Sequence, residues 1–150
     1  MPLIKGNKIV ADAWHVHADE SVPKQDYCII DLACWQENKA SLISQKLTFG
    51  LTLEGDADMT NVTDDLQHFA LIAINFPSFV DGRGYSLAKN LRQKYGYTQD
   101  IRAVGDILPD QALYLTRVGF SSLFLANEKN ALLALEKLAE HNVFYQPQTV

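Results

Sequence analysis

Cysteine is scarce: Cys28 and Cys34 are the only two in 150 residues. That is too few for a disulfide framework and for the four-thiolate ligand set of an iron–sulfur cluster. Their spacing is not the Cys-x-x-Cys of redox pairs, so both read as small buried hydrophobes. Positive charge is also short, with 13 Lys and Arg against 18 Asp and Glu and a net charge of −5. No Lys/Arg block stands out, and a surface without basic excess displaces few counterions, so no nucleic-acid partner is expected. No apolar run approaches the roughly 18 residues that suggest a membrane span. The opening MPLIKGNKIVADAW lacks the charged start and long apolar middle of a signal peptide. The expectation is a cytoplasmic chain with reduced thiols and no membrane partner.

Several chemical signatures are missing too. The run Gly82-Arg83-Gly84-Tyr85-Ser86 has no third glycine for a dinucleotide fingerprint and no Gly-Lys-Ser/Thr for a phosphate loop. No nucleophile elbow or Ser-His-Asp order is visible. His15 and His17 would share one side of an extended strand, yet no third ligand stands at a persuasive spacing, and His68 and His141 are alone on helices. No metal and no cofactor is expected.

What the chain does have is 47% hydrophobic and 21% charged residues, enough for a real core in one domain spanning 1–150. Leu3-Ile4 and Ile9-Val10 flank Gly6-Asn7, which predicts a hairpin, and Trp14 to Ala18 alternates as if extending it. Residues 1–18 therefore read as an N-terminal hairpin arm. Glu20 to Asp26, with Pro23, reads as a surface connection. Strand and helix patterns then alternate about five times: strands at Tyr27–Ile30, Leu47–Leu53, Ala70–Phe76, Ile101–Val104 and Leu123–Leu125, and helices between them. Asp31 and Asn127 suit helix caps, Asp58–His68 reads as a helix, and Gly96 and Gly119 suit helix ends. Val143–Tyr145 reads as a last short strand, and this apolar tail together with the arm makes a homo-oligomer conceivable. The fold class is α/β: a mostly parallel sheet with helices on both faces, in a flavodoxin-like or partial-barrel arrangement.

In such sheets ligands sit beyond the carboxyl ends of the strands, near a switch in strand order. Asp81-Gly82-Arg83-Gly84 follows the Ala70–Phe76 strand, and Gly105-Asp106 follows the next one, so both corners face one edge. The glycines allow tight turns and close approach. Arg83, the amides that open the following helix, and the hydroxyls of Tyr85 and Ser86 suit a small oxyanion or a partner. Gly84, Gly105, Asp106, Asp110 and Gln111 complete the candidate surface, and Asp81 or Asp106 is the candidate proton carrier if the site is catalytic. The competing reading is structural: Ser86 caps the helix, and Arg83 clips to Asp81 or Asp106. Arg102, near the start of its strand, reads as a structural or interface ion pair.

The run FPSFVDGRGYSLAKNLR, then Gly96-Tyr97, IRAVGDIL and Asp110-Gln111, resembles the signature of a bacterial family of uncharacterised proteins. The family is catalogued as domain of unknown function nine-three-four and often labelled as oxidoreductases of sulfite reduction. The opening MPLIKGNKIVADAW and the Leu32/Trp35 region are similar to that family as well. The resemblance implies an accessory protein of assimilatory sulfite or sulfate reduction. It also leaves open an oxidoreductase activity on a sulfur compound, or a docking or assembly role beside sulfite reductase or another sulfur-assimilation enzyme.

Overall fold

Gly6 turns the chain at φ 68°, a region costly for residues with a side chain. Leu3–Lys5 (β1) and Lys8–Val10 (β2) pair antiparallel around it. The computed structural model describes residues 2–18 and 21–145, so Glu20 of the expected surface connection lies outside the described residues, as does the side chain of His141. After the hairpin come His15–Val16 (β3), Cys28–Asp31 (β4), Leu32–Gln45 (α1), Phe49–Glu54 (β5), Phe69–Phe76 (β6) and Arg83–Gln93 (α2). Asp100–Gly105 (β7), Ala112–Val118 (α3), Ser122–Phe124 (β8) and Glu128–Tyr145 (α4) complete the order.

The caps follow the sequence. Asp31 accepts from the Cys34 amide at 2.8 Å to start α1, and Asn127 accepts from the Asn130 amide at 2.8 Å to start α4. Two expectations fail locally. Asp58–His68 is not one helix but two 3₁₀ turns, Met59–Asn61 and Thr63–His68. Its Thr, Asn and Asp residues are poor α-helix formers, while Met59, Val62 and Leu66 still reach the core. Val143–Tyr145 is not a strand either. It continues α4, and β8 already has β7 and β1 on its two sides.

The eight strands form one sheet in the order β2-β1-β8-β7-β6-β5-β4-β3. From β3 to β8 the strands run parallel and in chain order, and β1 and β2 are antiparallel additions beside β8. Each right-handed crossover thus steps the same way, which sends every crossover helix to the same face. The packing agrees: Leu51, Leu53, Ile72, Ile74, Ile101, Ala103 and Leu123 share one core with Trp35, Leu42, Leu87, Leu91, Leu115 and Ala134 of the four helices. The expected helices on both faces are therefore a misreading, and so is the flavodoxin-like alternative, which needs a reversal in strand order. The partial barrel is the arrangement adopted, as a curled half-barrel.

The other face explains why β6 reads as apolar on both sides. Ile29, Leu71 and Ala73 form a second, small cluster, covered by Trp14 and flanked by Val104. Among the described residues no helix contributes to it. Its cover is the stretch that leaves β2 at one edge of the sheet and reaches β3 at the other. The hairpin is built into the sheet: β1 lies inside it, Leu125 donates its amide to Pro2 O at 3.0 Å, and β3 closes the far edge.

Candidate functional site at the carboxyl rim

Phe76 and Gly105 are register partners at the ends of β6 and β7, so the loops that follow leave the sheet side by side. They are also bonded together. The Asp106 amide donates to Phe76 O at 2.8 Å, and Asp106 Oδ2 accepts from the Phe79 amide at 3.0 Å. Gln111 Nε2 donates to Phe79 O and to Tyr85 Oη, both at 2.8 Å, while its Oε1 accepts from the Leu108 amide at 2.8 Å. The second corner grips the first by both backbone groups of one residue.

That grip fixes a tight turn. Asp81 donates its amide to Ser78 O at 3.0 Å, which closes Ser78–Asp81 and leaves Phe79 and Val80 as its central residues. Both stand out from the surface, Val80 at 77% exposure and Phe79 at 43%, with Leu108 exposed in the neighbouring loop.

Arg83 has a separate set of partners. Its Nη2 meets Asp81 Oδ2 at 2.6 Å and its Nε meets Asp81 Oδ1 at 3.0 Å. Its Nη1 reaches Asp56 Oδ2 at 3.1 Å, and its amide donates to Asp81 Oδ1 at 3.1 Å. Hydrogen bonds from the Arg83 side chain, then its backbone, and the guanidinium charge hold the Asp81 carboxyl down at about 2. The guanidinium is exposed, yet two carboxylates already neutralise it. This is the structural clip with Asp81, joined by an acid from one loop earlier.

The remaining candidates divide by position. Gly84 is buried, and a Cβ there would stand 2.6 Å from Phe76 Cζ, so glycine is what lets α2 begin against β6. Gly105 has φ 94°, and a Cβ would fall 2.4 Å from Phe76 O. Tyr85 belongs to the Gln111 network and stacks edge-on with Tyr114 at 4.9 Å. Ser86 instead lines a cavity of about 650 Å³ between α2 and residues 55–63, with Arg83, Asn90 and Lys94. Asp110 reaches away toward α4, pairing with Lys137 at 3.7 Å. Asp81, Arg83, Tyr85, Asp106 and Gln111 thus cluster around the first loop, whereas Ser86 and Asp110 do not join them.

Three contributors escaped the sequence reading: Asp56, Phe79 and Val80. Gly55-Asp56 repeats, after β5, the Gly-Asp pair that ends β7, and that repetition was the available signal for Asp56. Phe79 and Val80 were visible as apolar residues inside a polar, glycine-rich turn. Arg102 has the structural role expected of it, through an ion pair with Asp12. Cys28 is buried and Cys34 half-buried, without a disulfide. Among the described residues no group of three His, Cys, Asp or Glu is placed to hold a metal, and no helix is long and apolar enough to cross a membrane.

Comparison with known proteins adds one finding. No curated protein matches the chain, but the family described as "Bacterial protein of unknown function (DUF934)" matches residues 50–150. That span begins in β5 and includes all three rim loops, with Asp56, the Ser78–Asp81 turn and Asp106, and it leaves out β1 to β4. With two thirds of its length matched, the chain belongs to this bacterial family of unknown function.

Proposed function

We propose that the protein is a non-catalytic docking factor that offers the Ser78–Asp81 turn to a protein partner. One observation carries this reading: Phe79 and Val80 project into solvent while both backbone groups of Phe79 are tied down by Asp106 and Gln111. Apolar anchors already held in place lose little conformational freedom on binding, so more of their burial appears as affinity. Exposed Asp106 is bonded to the turn and exposed Asp56 is joined to its last residue, Asp81, through Arg83, which fits a partner whose apolar pocket has a basic border. Sulfite reductase, or another enzyme of sulfur assimilation, is the partner suggested by the resemblance of the central motif.

The rival readings have less support. A small oxyanion at Arg83 would have to displace Asp81 and Asp56 and approach further carboxylates. A proton carrier needs a pKa near the working pH, and Asp81 is held at about 2. The Oδ2 of Asp106 is engaged by the Phe79 amide.

The experiment is a binding measurement with purified sulfite reductase at micromolar concentration over the immobilised chain, without small ligands. Retention by the unaltered chain and its loss in Val80→Asp are the expected results. Absence of retention, or equal retention by the Val80→Asp chain, overturns the proposal.

A further inference from the structure

The inner face of the half-barrel holds an ion pair that the docking turn does not use. Arg102 is 3% exposed, and its Nη1 and Nη2 meet the two oxygens of Asp12 at 3.2 and 3.1 Å. Its Nε is buried with no hydrogen-bond partner among the described residues. Asp12 therefore takes the end of the guanidinium fork and leaves one donor unmet, at an energetic cost. Two residues on, Trp14 covers the Ile29, Leu71 and Ala73 cluster and meets Tyr27 edge-on at 5.2 Å. The Trp14 amide donates to Asp12 Oδ1 at 3.0 Å, which fixes the spacing between carboxylate and ring.

The segment that carries these two anchors is exposed along most of its length. Ala11, Ala13, His15, Val16 and Ala18 are exposed, whereas what lies beneath is nearly inaccessible, with Leu71 at 0% and Ala73 at 2%. β3 is two residues long and parallel to β4, and its link to the sheet includes the bonds from His15 N to Tyr27 O and from His17 N to Ile29 O. Segments with few apolar contacts and exposed backbone bonds open at low free energy. The face they cover sets Ile29, Leu71 and Ala73 beside the buried Arg102, with Asp100, already held by the Ser121 and Ser122 hydroxyls, at its end; an extended peptide with one carboxylate and one ring complements it.

We infer that residues 11–18 are a displaceable strap, and that the face beneath it is a docking site for an extended partner segment with a carboxylate two residues before an aromatic ring. The chain's own Asp12-Ala13-Trp14 occupies that site in the resting state. This surface is separate from the rim turn, so neither depends on the other.

Two measurements test it on the full chain. In native-state hydrogen exchange, the His15 and His17 amides should exchange roughly a hundredfold faster than those of β6, and Asp12→Ala should raise their rate about tenfold further without altering β6. Exchange of these amides in step with β6 overturns the strap. In the second, a synthetic peptide of residues 10–18, VADAWHVHA, is titrated into Asp12→Ala and into Asp12→Ala with Arg102→Met. Binding to the first and at least about tenfold weaker binding to the second is the expected result, since the peptide carboxylate then lacks its partner. No binding, or equal binding, overturns the site. Should Asp12→Ala fail to fold, Trp14→Ala serves as the opened background with the same required outcomes.

Discussion

Phe79 and Asp106 are joined across 27 residues by one hydrogen bond, from the amide of the first to the carboxylate of the second. It turns two loops into one rigid surface, so its removal should loosen the turn without unfolding the sheet. Asp106→Ala is expected to lower stability by about 1 kcal/mol, the usual net worth of such a bond, read by urea unfolding. It should also weaken retention of the reductase. Asp106→Asn keeps an accepting oxygen for the Phe79 amide and should leave retention intact.

The glycines at the rim make a steeper prediction. Gly84→Ala would press a methyl group onto the Phe76 ring, and overpacking of this kind costs about 1–3 kcal/mol. Gly105→Ala adds a positive φ to a clash with the Phe76 carbonyl oxygen, so it should destabilise more than Gly84→Ala. Thermal unfolding of the two variants side by side gives the order. Gly82→Ala, whose Cβ would find only Tyr85 Cδ2 at 3.8 Å, is the control and should change little.

Asp81 gives the chain an acid-sensitive clip. Its carboxyl is held at about 2 in the folded protein, below the usual carboxylate range near 4. A depressed carboxyl contributes stability above its unfolded pKa and loses it as pH falls through the folded one. The contribution should therefore be full above about pH 4 and fade toward pH 2. Asp81→Asn should show a smaller loss of stability across that window and match the unaltered chain's slope at neutral pH.

The occupied guanidinium predicts a negative result and a way to reverse it. Sulfite, sulfate and phosphate should not raise the melting temperature, because ligands stabilise only the state that binds them. Replacing both partners, Asp56→Asn with Asp81→Asn, frees Arg83 at the start of α2. A sulfate-dependent rise in melting temperature should appear in that double variant and be abolished by adding Arg83→Ala.

Much of this architecture was readable before any coordinates. The ALIAINF run of β6, the Leu87 and Leu91 stripe of α2, the Asp31 and Asn127 caps and the Gly6 turn are all local signals, and each is where it was expected. The order of strands was not, because alternating strands and helices look the same whether crossovers reverse or keep one direction. Helices on both faces followed from that ambiguity, since the second cover of Leu71 and Ala73 is a short loop anchored by Trp14. The two corners were legible as neighbours. Their chemistry was not, because the acid that completes the Arg83 clip, Asp56, lies 27 residues away and only the folded chain brings them together.

The position of β1 sets a timetable for assembly. Leu3 and Ile4 pair with Phe124 and Leu123, so β1 has no slot until β8, more than 100 residues later, is in place. Contacts that distant in sequence are slow to form, and nascent chains ending before β8 carry two buried-type side chains with nowhere to go. Docking of β1 is consequently a late step of folding, reached only once β8 has joined β7.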